Sequence, residues 1–485
     1  MWIKSAPTSW RYNAAVDGLR RQGVVAVLAI CAMLISCSQE PPRPDLARLY
    51  RTGSEYSDAT PVILIPGLFG SRLRNRVTGN EVWPGSAQMI LFDEYRELAL
   101  DFDPATLQIR DDNLETSGIT DEALGRDFYG QIIEALQKFG GYIHADAGTP
   151  ARKGERRYYI YPYDWRQDNV DAARGLDRLI ELVRRDYNDP ALRVDIIAHS
   201  MGGLIARYYL RYGPVDVLDG REHLVTLYGT SRVRKLILLG TPNMGSASSL
   251  HAFLAGEPVG LRRIPREVLA TLPSGYQLFP HPLVTWLIDA SGAPLADDLF
   301  DAAVWRRYRW SIFDPAVEAR IRARRGVESE EYLRALHRFF DYRLERARRF
   351  LWALSTPEPA TPIRYVLFGG DCTMTPARLA LEDDGGVPIA RLYPGDIRQR
   401  KPGVNYDELM LEPGDGKVTK PSLLARETLD PSAPQNEDSF IPIAYWFFLC
   451  EHHAKLTGNI NFQDNLLNVL LTRTLPWEMT APATQ

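Results

Sequence analysis

The feature that most limits how this chain can fold is a rhythm of short apolar runs. Pro61–Ile65, Tyr158–Tyr161, Val194–Ala198, Leu236–Leu239 and Tyr365–Phe368 are each four or five residues long and rich in aliphatic or aromatic side chains. Runs of that length without polar alternation read as strands buried on both faces. Helical stretches lie between them. Asp171–Tyr187 sets Ala172, Leu176, Leu179, Ile180 and Val183 on one stripe, and Gly202–Leu210 reads as a second helix. Strands alternating with helices imply an α/β domain, a mostly parallel sheet flanked by helices on both faces. The 485 residues suffice for such a domain with a large insertion. With 57 basic and 61 acidic side chains, net −4, there is no global charge argument for nucleic-acid binding.

One interval breaks the rhythm. Between Gly245 and about Ala360 no convincing parallel strand is found. Proline-punctuated aromatic stretches and an arginine-rich helical region, Ala319–Phe350, occupy it instead. So long an interval is more than a loop, and reads as an inserted, mainly helical cap. The expected organisation is a core of residues 58–246, a cap of 247–360, a second core part of 361–476 and a tail of 477–485. Ala319–Phe350 carries ten arginines against five acids. The excess either meets lipid phosphates or forms a solvated face with internal ion pairs. Trp83, Phe92, Trp305 and Trp310 either form an acyl groove or membrane contact, or simply pack the core and cap.

The chemistry points to Ser200. Ala198-His199-Ser200-Met201-Gly202-Gly203 sits where a buried strand ends and a helix begins. A sharp turn there exposes a serine hydroxyl at the carboxyl edge of a sheet and requires small residues two before and two after it. Ala198 and Gly202 satisfy this, alanine standing where glycine is usual. An acyl-transferring serine needs an oxyanion hole and a base. The first donor is the Met201 N–H. The second is the Leu68 N–H, in the loop Pro66-Gly67-Leu68-Phe69-Gly70 after an early strand. The acid should follow the serine and the histidine should come last. By spacing alone Asp415, in the tight turn Pro413–Gly416, competes with Asp371. His452 and His453 are the only histidines beyond both, so one of them is the expected base. His199, beside the nucleophile, should point away from its hydroxyl. No cofactor and no metal are expected.

The N-terminus reads as an address. Arg20 and Arg21 precede the apolar run Val24–Ile35, which is too short to span a bilayer and fits a secretory signal core. The run ends Leu34-Ile35-Ser36-Cys37, which resembles the bacterial lipobox. That resemblance implies a signal peptide of residues 1–36, lipidation of Cys37, a tether of residues 37–57 and a lipid-anchored place on a membrane surface in the bacterial cell envelope, at the outer membrane or the periplasmic face. In such a compartment Cys372 and Cys450 either pair or remain buried free thiols; sequence does not fix their separation.

Five stretches together resemble the lecithin:cholesterol acyltransferase family, which includes lysosomal phospholipase and phospholipid:diacylglycerol acyltransferase. They are Pro61–Leu73, Pro162-Tyr-Asp-Trp-Arg166, His199–Gly203, Leu239–Ser246 and Gly414-Asp-Gly-Lys-Val418, in family order. The resemblance implies an α/β-hydrolase fold with Ser200 as nucleophile, and it favours Asp415, because the Gly-Asp-Gly-x-Val turn carries the family's acid. The family's terminal histidine precedes an asparagine by six or seven positions. Measured to Asn459, His453 fits the first spacing and His452 the second, and His453 is favoured. The cap interval matches poorly. Asn243 stands where the family often has Trp or His, and residues 74–130 lack the cysteines of the family's lid. Asp164-Trp165-Arg166 is expected to support the site from behind. The implied reaction is acyl transfer from a phospholipid or similar lipid ester to an alcohol or water. The rivals are a general carboxylesterase or triacylglycerol lipase, and a non-enzymatic lipoprotein on a hydrolase scaffold. Sequence does not fix the oligomeric state.

Overall fold

The computed structural model describes residues 43–51, 59–120, 122–123, 126–220, 224–359, 361, 363 and 365–472. The signal segment, Cys37 and the tail 477–485 lie outside the described residues. The elements below all belong to the unit that begins at Leu46.

Seven strands form the central sheet: β1 (Val62–Ile65), β2 (Ile143–His144), β3 (Arg157–Ile160), β4 (Val194–His199), β5 (Val233–Leu239), β6 (Tyr365–Gly370) and β7 (Ile443–Leu449). Their order is β7-β6-β5-β4-β1-β3-β2, and every pairing is parallel. Every residue of β1, β4 and β6 is buried, as double coverage demands. Alternate side chains part to opposite faces. Ile63, Ile65, Ile196, Ala198 and Leu238 face one apolar cluster; Val62, Leu64, Ile197, Ile237 and Phe368 face another.

Helices cover both faces. In chain order they are α1 (Gly130–Lys138), α2 (Asn169–Asp186), α3 (Met201–Tyr212), α4 (Ala247–Ala255), α5 (Pro315–Arg325), α6 (Ser329–Ser355) and α7 (Ile460–Leu471). Side chains of α2, α3 and the cap helix α6 join the first cluster, and those of α1 and α7 join the second. Asp168 caps α2 through the Val170 N–H, and Asn459 caps α7 through Asn461 and Phe462. This is an α/β-hydrolase architecture. β1 lies between β4 and β3, so the chain leaves it in one direction and returns in the other. Such a switch point opens a crevice at the carboxyl ends of the strands.

The five strands read from apolar runs all occur in this sheet, some a few residues longer. The edge strands β2 and β7 fall outside those runs. Both residues of β2 are exposed and most of β7 is only half-buried, so neither carries the signal of a doubly covered strand. The interval after Gly245 needs a correction. It does contain a parallel pairing, of Leu287–Asp289 with Leu379–Asp384. Three residues are too few to show as an apolar run, and the partner lies far along the chain. Trp83, Trp305 and Trp310 are buried in packing, whereas Phe92 is exposed. Cys372 and Cys450 form a disulfide, Cα–Cα 5.0 Å, that joins the chain beyond β6 to the chain beyond β7. Among the described residues no helix is long and apolar enough to cross a membrane.

Candidate active site

β1, β4 and β7 deliver the Leu68 loop, Ser200 and His453 beyond their carboxyl ends, whereas Asp415 follows Leu411–Gly414, which pairs antiparallel with Thr373–Pro376 outside the central sheet. β4 ends directly at Ser200, which turns the chain into α3 with φ 53° and ψ −125°. A non-glycine residue at positive φ is strained, and the packing around it must hold it there. The tight approach explains two glycines. A Cβ on Gly67 would lie 2.7 Å from Ser200 Cβ, and one on Gly202 would lie 2.5 Å from the Pro66 carbonyl.

Three side chains meet in a hydrogen-bonded row. His453 Nε2 lies 3.0 Å from Ser200 Oγ, and His453 Nδ1 lies 2.7 Å from Asp415 Oδ2. With Nδ1–H donating to the carboxylate, Nε2 is left to accept the serine proton. The other carboxylate oxygen, Asp415 Oδ1, accepts the main-chain N–H groups of Lys417 at 3.0 Å and Val418 at 2.7 Å. Burial alone would raise the Asp415 pKa. The neighbouring His453 and the two amides outweigh it and hold the carboxyl below its ordinary range. The backbone N–H of His453 also donates to the Asp415 carbonyl at 2.9 Å, so base and acid are locked together through main chain as well as side chain. His452 is exposed and sits 3.5 Å from Thr373 Oγ1, away from this row. Asp371, the rival acid, pairs with Lys420 at 2.8 Å instead. Asn459, which set the histidine spacing, caps the helix α7 that follows.

Met201 is the first residue of α3, where an N–H has no intrahelical acceptor. Neither it nor the Leu68 N–H donates to another described residue. The loop that carries Leu68 is held by four aromatic side chains. Tyr163 Oη donates to the Pro66 carbonyl at 3.0 Å, Trp83 Nε1 to Phe69 at 2.8 Å and Trp165 Nε1 to Ser71 at 3.0 Å. The fourth, Tyr129, accepts the Gly67 N–H at 2.9 Å, and its hydroxyl lies 2.7 Å from His199 Nδ1. Two of these residues come from Pro162–Arg166, and the fully buried Arg166 fixes that segment by pairing with Asp164 and Asp112. The support expected behind the site is thus a clamp on the loop. Tyr129 gave no sequence signal, because no motif surrounds it. His199 does not reach the Ser200 hydroxyl. It is fully enclosed, and burial first, then the nearby His453, push its pKa down to about 3, so it stays neutral.

A cavity of about 150 Å³ opens on Ser200 and His453. Leu68 and Phe69 line it from the core; Ala252, Phe253, Leu269, Leu272 and Leu278 line it from the cap. Apart from His453, the ionisable side chains on its wall are Glu257 and Lys417. Among the described residues no cluster of three or more His, Cys, Asp or Glu could hold a metal ion.

Residues 153–311 match the family model described as Lecithin:cholesterol acyltransferase. A stretch of 158 residues is 27% identical to the lysosomal phospholipase A and acyltransferase of Bos taurus, covering 31% of this chain and 34% of that one. The chain therefore spans about a third of the length of the curated relative it matches. Among solved structures, the Tle4–Tli4 complex is similar over 85% of this chain and 98% of that one, at 15% identity and a TM-score of 0.48. The mature form of Bacillus licheniformis lipase BlEst2 is similar over 86% and 93%, at 12% identity and a TM-score of 0.32.

Proposed function

The chain belongs to the lecithin:cholesterol acyltransferase family, and on that premise we propose that it moves an acyl group from a phospholipid or similar lipid ester to an alcohol or water through an acyl-enzyme on Ser200. The observation that carries this reading is the row Ser200–His453–Asp415 at a strained turn facing an apolar cavity.

In this reading His453 Nε2 takes the proton of Ser200 as the hydroxyl oxygen attacks the ester carbonyl. Asp415 keeps Nδ1 protonated and stabilises the imidazolium that forms. The tetrahedral oxyanion is held by the N–H groups of Leu68 and Met201. Collapse breaks the ester bond, and His453 returns the proton to the leaving alcohol. A second alcohol or water then attacks the acyl-enzyme, giving up its proton to His453, and Ser200 is released. Which acceptor wins depends on how well the cap keeps water from the acyl-enzyme. The anchor belongs to the same proposal: a diacylglyceryl group on Cys37 would hold the enzyme at the surface that supplies its substrate.

The test is product analysis with phosphatidylcholine as donor, with and without a sterol or other long-chain alcohol, alongside fluorophosphonate labelling. Labelling that is lost in Ser200→Ala, together with acyl release from the phospholipid, is the expected result. Turnover of neutral esters with no phospholipid turnover would replace this reading with that of a general carboxylesterase or triacylglycerol lipase. Absence of labelling would leave a non-enzymatic scaffold. Mass spectrometry of the mature N-terminus tests the anchor.

A further inference from the structure

We propose that the disulfide Cys372–Cys450 is a positioning device for the row of Ser200, His453 and Asp415: it fastens the end of an edge strand so that the base keeps its place between nucleophile and acid. The inference rests on Ser200 being the nucleophile and His453 its base, and adds two residues that touch neither.

The need for a fastening follows from the sheet order. Ser200 leaves β4, which has β1 on one side and β5 on the other. His453 lies beyond β7, an outermost strand whose one neighbour in the sheet, among the described residues, is β6. Most of β7 is only half-buried. A strand bonded along one side and thinly covered opens more readily than a central one. The nucleophile is therefore carried by a central strand and its base by an edge strand. A base displaced by about 1 Å costs on the order of a hundredfold in rate.

The disulfide sits where that weakness matters. Cys450 directly follows β7, and His453 stands three residues further on. Cys372 directly precedes the strand Thr373–Pro376, whose antiparallel partner Leu411–Gly414 leads into Asp415. Thr373 pairs with Gly414 and also bridges Asp415. Thr375 Oγ1 accepts the Gly416 N–H at 2.8 Å. One cysteine is thus rooted in the arm of the acid and the other in the arm of the base. The Asp415 carbonyl, which accepts the His453 N–H at 2.9 Å, completes a small ring containing both. The two arms run close together. A Cβ on Gly370 would lie 2.8 Å from Asp415 Cβ and closer still to the Glu451 carbonyl. The Asp371 N–H donates to the Leu449 carbonyl at 3.2 Å beside the disulfide. Water can replace that hydrogen bond when the strand end opens, but it cannot replace the covalent one.

Both cysteines are exposed, so a small dithiol can reach them. A thiolate of dithiothreitol attacks one sulfur and the other cysteine leaves as a thiolate. The reagent's second thiol then breaks the mixed disulfide. Two electrons and two protons pass to the protein, and the reagent leaves as its cyclic disulfide.

The experiment uses the full chain and a soluble short-chain ester. It compares the oxidised parent, the parent reduced by dithiothreitol, Cys372→Ala, Cys450→Ala and the double variant, with circular dichroism tracking the folded fraction. Reduction should lower kcat about tenfold to a hundredfold and leave KM within twofold of the oxidised parent. The fluorophosphonate labelling rate of the folded fraction should fall with kcat. Each single variant should match the double variant, because either loses the whole bond. Reoxidation should restore the reduced parent, and the double variant should not respond to the reductant. A kcat and labelling rate within twofold of the oxidised parent in the reduced and variant proteins would overturn the proposal. Complete unfolding of those proteins would also overturn it, making the bond a staple for the fold. A parent that is neither labelled nor active would instead overturn the nucleophile reading beneath it.

Discussion

On the core side of the cleft, the loops carrying Leu68, Ser200 and His453 leave parallel strands, that of Asp415 leaves an antiparallel one, and they are tied by hydrogen bonds from aromatic or main-chain groups; on the cap side, helices α5 and α6 are tied by guanidinium–carboxylate pairs. Arg346 reaches Asp168 at 2.5 Å and Asp216 at 2.8 Å, and Arg320 binds Glu267 at 2.9 Å. Arg322, Arg343, Arg348 and Arg349 also sit in ion pairs, Arg338 donates to the Pro104 carbonyl and Arg325 lies over the Tyr332 ring. The arginine excess of Ala319–Phe350 is thus largely taken up inside the fold. The difference teaches what each side is built to do. Aromatic hydrogen bonds hold the main-chain atoms of the Leu68 loop in place, as an oxyanion hole requires. Ion pairs hold a long helix on the core while leaving its surface free to differ.

The comparison can be broken hardest at the core. Ser200→Ala and His453→Ala should each lower kcat by about a million-fold, and Asp415→Asn by about ten-thousand-fold. His452→Ala should leave acyl release within a few-fold of the parent. The reverse pattern for the two histidines, read by the same assay, would sink the assignment.

Next comes the clamp. Tyr129→Phe deprives the Gly67 N–H of its acceptor and His199 of its partner. It should cost about tenfold to a hundredfold in kcat with little change in KM, because the loop serves the transition state. Affinity for a boronic-acid transition-state analogue should fall in parallel. An unchanged analogue affinity would mean that the tyrosine is only packing.

The cap should answer differently. Arg346→Met takes from the buried Asp168 its closest cation, leaving Arg343 at 3.8 Å, and should cost about 3 kcal/mol in a urea titration. The fluorophosphonate labelling rate of the folded fraction should stay near that of the parent. A loss of labelling without a loss of stability would show that the two sides are coupled.

Shared by both sides is a dependence on acid. Burial lowers the pKa of His199 and His281 to about 3 and that of His251 to about 4. The unfolded chain takes up these protons near pH 6.5, while the folded protein refuses them. Stability is therefore full above pH 6.5 and falls as pH drops from there towards 3 to 4, by about 1.4 kcal/mol per pH unit for each histidine in that window. His281→Gln should flatten the slope, measured as the urea midpoint against pH. A midpoint that does not move between pH 7 and 5 would contradict the burial of these rings.

Much of this was legible from short stretches of chain. A strand buried on both faces must be apolar throughout, so β1, β4, β5 and β6 announced themselves. The turn at Ser200 needs small neighbours, so the sharp bend there did too. The edge strand β7 did not, because most of its residues are only half-buried. Asp371 and Asp415 both follow strands, and local pattern could not rank them. Only the fold turns Asp371 onto Lys420 and Asp415 onto the imidazole.

What the sequence determined by itself was therefore local: which segments must be covered and where the chain bends sharply. What the tertiary structure decided was every meeting between distant residues. It selected His453, bonded Cys372 to Cys450, placed Tyr129 under Gly67 and set Lys417 against Glu257. The reason is physical. Local pattern reports whether a side chain is to be buried. Which other side chain it meets depends on the register of parallel strands and on how the cap settles over them, and no short window of residues holds that information.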